Sequence, residues 1–366
     1  MTRAFTPERR RIATMRLAAQ RIAGSTIAGS AIAGSASASP VDTVRHLLAV
    51  QAQDFPGAKW TVGLRTPGST DAAIEAELAA ATIVRSWPMR GTLHFTAAED
   101  LGWMLSLTAD RIAARAAGRH RQLGISDDDL ATCRAIAERL LADGPRSRSE
   151  LVAAFDAAGQ PTAAQRGNHI LLNLSIYGTL VFGPVTGKQQ SFALLDDWVR
   201  SPRRLDRDEA LAEFALRYFT SHGPATVNDF AWWASLTLTD ARAGLAAVSD
   251  HLESFGDYWH APGLTPADGV FALPGFDEFL LGYSDRSAAL HSDHAERVVP
   301  GSNGMFMPTV VVDGEVVGTW KRAVTAKGVT VTSEAFGALS ARHAKGFAAA
   351  SARYAQFMGT TLRGAD

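Results

Sequence analysis

The chain has 366 residues, 46% of them hydrophobic and 20% charged, with a formal net charge of −1 at pH 7. That length predicts two to four compact units, and the composition excludes a disordered chain. The charge excludes a globally basic nucleic-acid coat but allows a local basic strip balanced by acidic outer helices.

The single cysteine, Cys133, leaves no intrachain disulfide and no cysteine-held metal, which fits a reducing cytoplasm. The sequence has no run of about eighteen apolar residues that would span a membrane. Nor does Met1–Arg11 hold an apolar secretion core.

In chain order, helices are expected over Pro7–Arg21, Val41–Gln53 and Thr70–Ala81. Between the first two, Ile22-Ala-Gly-Ser-Thr26, Ile27-Ala-Gly-Ser-Ala31 and Ile32-Ala-Gly-Ser-Ala36 nearly repeat a pentapeptide. Its Gly and Ser content reads as an expanded flexible loop over 22–39, and the period is too short for a solenoid. Pro40 closes that loop, and Asp42 is placed to cap the second helix. Strands Ile83–Trp87 and Gly91–Thr96 form a hairpin with Pro88 in its turn. A second set follows: helices Asp127–Ala142, Ser147–Ala158 and Ala163–Tyr177, then strands Leu180–Gly183 and Gln190–Leu194. A third comprises helices Arg207–Ser221, Thr226–Ala234 and Thr237–Ala247, with strands Leu252–Phe255 and Asp257–His260 turning at Gly256. Arg200-Ser-Pro-Arg-Arg204 is the clearest linker. Gly269–Val331 is strand-rich and punctuated by glycine, suggesting a small barrel, and Ser333–Met358 reads as a terminal amphipathic helix. Helices followed by a hairpin, three times over, is a winged-helix plan.

Several segments carry more specific information. Gln51-Ala52-Gln53 runs into Asp54-Phe-Pro-Gly-Ala-Lys-Trp60. Val84-Arg-Ser-Trp-Pro-Met-Arg-Gly-Thr-Leu-His-Phe95 comes next, and Leu273-Pro-Gly-Phe-Asp-Glu-Phe-Leu-Leu-Gly-Tyr-Ser-Asp-Arg286 and Val312-Asp-Gly-Glu-Val-Val-Gly-Thr-Trp-Lys-Arg322 follow later. In that order they resemble the winged-helix DNA glycosylases of the AlkZ/AlkX type, from about Arg10 to about Phe357. The resemblance implies an α+β fold: three tandem winged-helix units, a small C-terminal β-barrel and a terminal helix, C-shaped with a concave DNA-binding face. The corresponding boundaries are 1–124, 125–204, 205–262 and 263–366. It also implies a monofunctional glycosylase that cleaves the N-glycosidic bond of N7-alkylpurines, including those in interstrand crosslinks. Double-stranded DNA carrying such lesions is then the partner of a monomeric, nucleoid-associated enzyme needing no cofactor or metal.

In that family pattern the first glutamine, Gln51, is the essential residue, and the second, Gln53, helps place a water. A Gln side chain cannot serve as a general base near neutral pH, but its amide fixes hydrogen bonds. On an ideal helix, positions 51 and 53 point about 200° apart, so both reach one site only where the helix ends. Pro56 supplies such a break. The alternative is a pair of amides capping a helix end. Asp54 reads as a cap of the next helix or, less favourably, a base.

Arg90 and His94 lie on the first hairpin as candidates for phosphate contact and for orienting the lesion strand, with a packed, backbone-bonded histidine as the competing reading of His94. Met305 and Phe306 begin an apolar hairpin that ends near Lys321 and Arg322. Such a tip with flanking bases suits minor-groove insertion, although barrel-core residues look the same. Lys59 is expected to meet phosphate or solvent, which leaves no lysine for Schiff-base lyase chemistry. Asp277 and Glu278 read as a structural ion pair, with Arg286 as a candidate partner. His291 and His294 read as a solvated loop rather than metal ligands. A non-enzymatic winged-helix regulator competes with the glycosylase, as does a protein that sequesters a genotoxin. The third unit's reading helix carries Arg242 as its one base, which suits a regulator poorly.

Overall fold

The computed structural model describes residues 5–22, 39–186, 189–302 and 304–364. The repeats at 23–38 lie outside the described residues. The architecture is mixed α+β, and among the described residues no helix is long and apolar enough to cross a membrane.

Helix α1 (Pro7–Ala19) is capped by Thr6, and α2 (Pro40–Leu47) starts on a reciprocal Ser39–Asp42 capping box with Pro40 in its first turn. The helix expected through Gln53 stops at Leu47. Leu48 turns to φ 67°, and Val50–Gln51 becomes a short strand, β1. Tertiary pairing overrides helical periodicity here. Pro56 starts a helix, α3 (Phe55–Arg65), rather than merely ending one. Helix α4 (Asp71–Ala79) and strands β2 (Ile83–Met89) and β3 (Thr92–Ala97) follow. The turn lies at Arg90-Gly91, not at Pro88. Both turn residues have positive φ, 55° and 70°, as a two-residue hairpin whose twist matches its strands requires. Pro88 sits inside β2 where the register shifts, a position a proline tolerates.

Helix α5 (Ala98–Gln122), 25 residues long, is absent from the sequence reading. Its Glu99 and Asp100 at the start, and Arg119, His120 and Arg121 at the end, complement the helix dipole. The second set is α6 (Asp127–Leu141), α7 (Arg148–Ala157), α8 (Arg166–Ile176), β4 (Leu180–Thr186), β5 (Gln189–Leu194) and the single turn α9 (Leu195–Trp198). The third is α10 (Arg207–His222), α11 (Val227–Ala234), α12 (Leu238–Val248), β6 (Glu253–Phe255) and β7 (Tyr258–His260).

The first two hairpins do not stand as separate wings. They join edge to edge in one sheet, ordered β1-β3-β2-β4-β5, through the pairing of Arg85 with Phe182.

The C-terminal portion holds β8 (Val270–Leu273), α13 (Glu278–Leu281), α14 (Ala295–Val298), β9 (Thr309–Val312), β10 (Glu315–Thr325), β11 (Gly328–Ala335), α15 (Ala341–Phe357) and β12 (Leu362–Arg363). Its sheet is open, ordered β12-β11-β10-β9-β8, so half a barrel stands where a closed one was expected. Ser333–Ala335 finish β11, and the terminal helix begins eight residues later than the expected Ser333, at Ala341.

One hydrophobic core unites α1–α4, β1 and β3 with this sheet and α15. It includes Leu17, Leu47, Trp60, Phe95, Trp320 and Tyr354. Gly63 lets α3 approach α15, because a Cβ there would lie 2.2 Å from the Phe357 ring. The N-terminal helices and C-terminal sheet thus clamp β1 between them.

Candidate active site

Strand β1 pairs with β3, with Gln51 opposite His94. Gln51 thus ends a strand rather than a helix, and Gln53 lies in the bend that follows, so the helical 200° separation does not apply. Gln51 is 7% exposed, whereas Gln53, in the bend just after the strand, is exposed. The Gln53 Oε1 accepts the Leu93 N–H at 3.0 Å, and the Ala52 N–H donates to the Leu93 carbonyl at 2.7 Å. The two amides are therefore registered on β3 from both sides of Ala52.

The other edge of β1 meets a carboxylate instead of a strand. The Gln51 N–H donates to Glu278 Oε1 at 3.1 Å, and the Trp233 indole N–H donates to Glu278 Oε2 at 2.8 Å. Glu278 is fully buried. Burial opposes its charge, yet contact with His222 and the nearby Arg90 guanidinium hold its pKa down at about 2. The segment carrying it is pinned by Asp277, whose carboxylate takes both Nη groups of Arg65 at 2.7 and 2.9 Å. The remaining Arg65 hydrogen bonds go to Gln20 and the Thr61 carbonyl, so this buried guanidinium is fully partnered. Asp277 is indeed in a structural ion pair, but its partner is Arg65, not Arg286.

Arg90 turns inward. Its Nη2 donates to Gln51 Oε1 and to His94 Nε2, both at 2.9 Å, and its Nη1 donates to the Trp233 carbonyl at 3.2 Å. His94 is fully buried, with Nδ1 donating to the Thr92 carbonyl at 2.8 Å. Burial and the facing Arg90 push its pKa down to about 3, so the ring is neutral with its proton on Nδ1. A ring with no exposure and both nitrogens engaged cannot touch a lesion strand. His94 is the packed histidine of the competing reading, and it orients Arg90.

Two further groups frame the motif. Arg85 donates twice to the Ala52 carbonyl, at 3.1 and 2.8 Å, and lies over the rings of Phe55 and Phe182 at 5.2 and 5.0 Å. Arg322 on β10 stands 3.7 Å from the Asp54 carboxylate, beside Gln53. Asp54 holds the cap position of α3 without accepting a capping hydrogen bond. Lys321, one position along β10, is exposed.

Met305 and Phe306 lie in a loop before β9 rather than in a hairpin strand. Met305 is 55% exposed, while Phe306 is half-buried with its ring 6.2 Å from that of Phe276. Lys59 is not a phosphate contact. It is buried against Asp71 and Glu75, each at 2.7 Å. His291 caps a short turn by accepting from the Asp293 N–H at 3.2 Å, and among the described residues no cluster of three or more His, Cys, Asp or Glu is arranged to hold a metal.

Sequence reasoning missed Glu278 as the support of Gln51, Arg85 as the grip on Ala52, and the pair Trp232-Trp233. Two adjacent tryptophans ending a helix were a visible signal. One is buried at 0% and holds Glu278, and the other is 38% exposed.

The site is a pair of amides, one on β1 and one in the bend that follows it, backed by a buried carboxylate and an inward arginine. The chain belongs to the DNA glycosylase AlkZ-like family, whose model matches residues 44–357. It is 28% identical over 307 residues to the "Interstrand DNA cross-link repair glycosylase" of Streptomyces sahachiroi, covering 77% of this chain and 82% of that one. Its fold matches the solved structure of Streptomyces sahachiroi DNA glycosylase AlkZ at a TM-score of 0.79, with 23% identity over 99% of this chain and 100% of that one. None of the three comparisons supports the regulator reading.

Proposed function

We propose that this glycosylase hydrolyses the N-glycosidic bond of N7-alkylpurines, including the unhooking of interstrand crosslinks, with Gln51 and Gln53 as its catalytic residues. The observation that carries this reading is the placement of Gln51 on β1 with its N–H held by Glu278, and of Gln53 just after the strand, fastened to β3 through the Leu93 N–H.

An N7-alkylated guanine is already cationic. When the C1′–N9 bond breaks, its electron pair neutralises the ring, so no acid need protonate the leaving base. A water adds to the oxocarbenium-like C1′ and gives its proton to solvent. Amide oxygens supply oriented negative dipoles that hold this water and favour the sugar cation. The Gln51 oxygen spends one lone pair on Arg90 and keeps the other. The charge of Glu278 offsets that of Arg90, so the positive sugar does not face an uncompensated guanidinium.

The helix-and-hairpin units read as winged helices lining a concave DNA face, with Met305, Lys321 and Arg322 as further contacts of a monomeric enzyme. Lys59 is buried in ion pairs with Asp71 and Glu75, which does not suit the free amine that lyase chemistry needs. The test is release of N7-methylguanine from duplex DNA under single-turnover conditions. Gln51→Ala should abolish release while duplex affinity and melting temperature stay near those of the parent; full activity would remove the assignment.

A further inference from the structure

We propose that Trp232 and Arg286 form a nucleotide platform beside Gln51, stacking one base of the lesion-containing duplex on the indole and seating its phosphate on the guanidinium. The inference rests on the DNA glycosylase reading and adds two residues to it.

Helix α11 ends in two tryptophans with opposite fates. Trp233 is fully buried and occupied with Glu278, while Trp232 remains 38% exposed. A lone exposed aromatic needs no explanation. What surrounds this one does. The guanidinium carbons of Arg90 and Arg286 lie 5.3 and 5.2 Å from the Trp232 ring centroid. Arg286 also lies 5.0 Å from the Phe306 ring centroid, and Phe306 in turn packs against Phe276.

Arg286 is half-buried, and its Nε donates to the Leu280 carbonyl at 2.9 Å. Among the described residues its two Nη groups have no hydrogen-bond acceptor, and it forms no ion pair. The nearby Asp229 is occupied by Thr226, Ser284 and the Asp285 N–H. Burial works against the charge of Arg286, and although Asp229 and Asp285 lie near enough to favour that charge, neither pairs with its fork. Two rings and one carbonyl fix the fork so that four N–H donors remain for an external anion. A planar fork of this kind suits a phosphate, which it can bind in two places.

An aromatic face next to a phosphate-seeking fork matches the two halves of a nucleotide, and base–aromatic stacking tolerates any sequence. The platform is tied to the chemistry by one side chain, because Arg90 touches both the Trp232 ring and Gln51 Oε1. A base drawn out beside the lesion would rest within a residue's length of the glutamine strand. Phe306 then acts beneath Arg286, supporting the fork rather than wedging between bases.

The experiment measures the affinity of the full-length protein for a duplex holding a tetrahydrofuran abasic-site analogue, across a salt series, together with N7-methylguanine release. Arg286→Gln should weaken binding and lower the slope of log affinity against log salt by about 0.9, the share of one phosphate. Arg286→Lys should retain the slope with weaker binding, since the charge stays and the fork is lost. Trp232→Ala should weaken binding by about 5- to 150-fold, the worth of one stacked base, with the slope unchanged, and Trp232→Phe should recover most of that loss. Parent-like affinity and slope in Arg286→Gln and Trp232→Phe, together with parent-like affinity in Trp232→Ala, would overturn the platform. If Trp232→Ala fails to fold, Arg286→Gln alone decides, because an unchanged slope refutes the phosphate seat. If the parent releases N7-methylguanine and the variants bind as it does, the platform alone falls. If the parent releases none while the variants lose affinity and slope as expected, the glycosylase reading falls and the platform stands.

Discussion

Glu278→Gln isolates the carboxylate behind the glutamine strand. The native side chain accepts two donors, the Gln51 N–H at 3.1 Å and the Trp233 indole N–H at 2.8 Å. A glutamine has one carbonyl oxygen for the two, so its amide NH2 must oppose one of them. A hydrogen bond to a charged group contributes about 1.5–3 kcal/mol, and an unsatisfied buried donor costs a similar amount. If that loss falls on the position of Gln51 in the transition state, single-turnover base release should slow by about 10- to 150-fold. Duplex affinity should hold, because Glu278 is fully buried and touches no DNA. Melting temperature should fall by a few degrees, roughly in proportion to the same energy. The assay pairs single-turnover release with anisotropy binding and thermal melting on one preparation. A release rate within twofold of the parent, alongside a clear drop in melting temperature, would show that Glu278 only supports the fold.

His94 is held neutral at a pKa of about 3 against an ordinary 6.5, so the unfolded chain takes up the proton first. Its share of stability should be level above pH 6.5 and be lost on acidification towards pH 3, by up to about 1.4 kcal/mol per pH unit, and buried His46, also held at about 3, adds a like share; urea unfolding from pH 7 to 4 reads the sum, and His94→Asn should reduce the slope without abolishing it. The Glu278 carboxylate, at about 2 against an ordinary 4.5, adds a further loss only below pH 4.5. Lys59→Met should cost about 1–3 kcal/mol of stability, discounted because its partner Glu75 is half-exposed, and should leave the salt dependence of DNA binding unchanged; a lower salt slope would return Lys59 to the phosphate contacts. Neutralising Lys321 and Arg322 together should lower that slope by about 0.9 for each phosphate lost, whereas an unchanged slope would place both away from DNA.

Elements with strong local signals were legible. Helices α6, α7 and α11, each opened in the structure by a capping box, and the hairpin turning at Gly256 stand within a residue of the expected bounds. The conversion of Val50–Gln51 into a strand was not legible, because it depends on pairing with residues some forty positions away. Helix α5 starts from an Ala97 cap with no side-chain hydrogen bond, so no capping signal marked its beginning. Of the site, Gln51 and Gln53 were identified through the family pattern. Arg90 and His94 were singled out, but a hairpin residue's inward or outward direction hangs on sheet register, and both turned in. Glu278 was read with Asp277 as part of a structural ion pair to Arg286, whereas it holds the Gln51 and Trp233 N–H groups. Its contact with Gln51 spans 227 positions, a distance over which local pattern carries no information.

Arg85 takes hold of the carbonyl between the two glutamines, and its terminal nitrogen reaches Gln190 at 3.2 Å on the second hairpin. Strand β2, which carries it, is also the seam between the two hairpins. A displacement of the second hairpin therefore has a short, stiff route to the peptide between Gln51 and Gln53. The two hairpins and the peptide between the glutamines are thus coupled mechanically through one side chain, with the Ala52 carbonyl as the point where a shift of the second hairpin arrives.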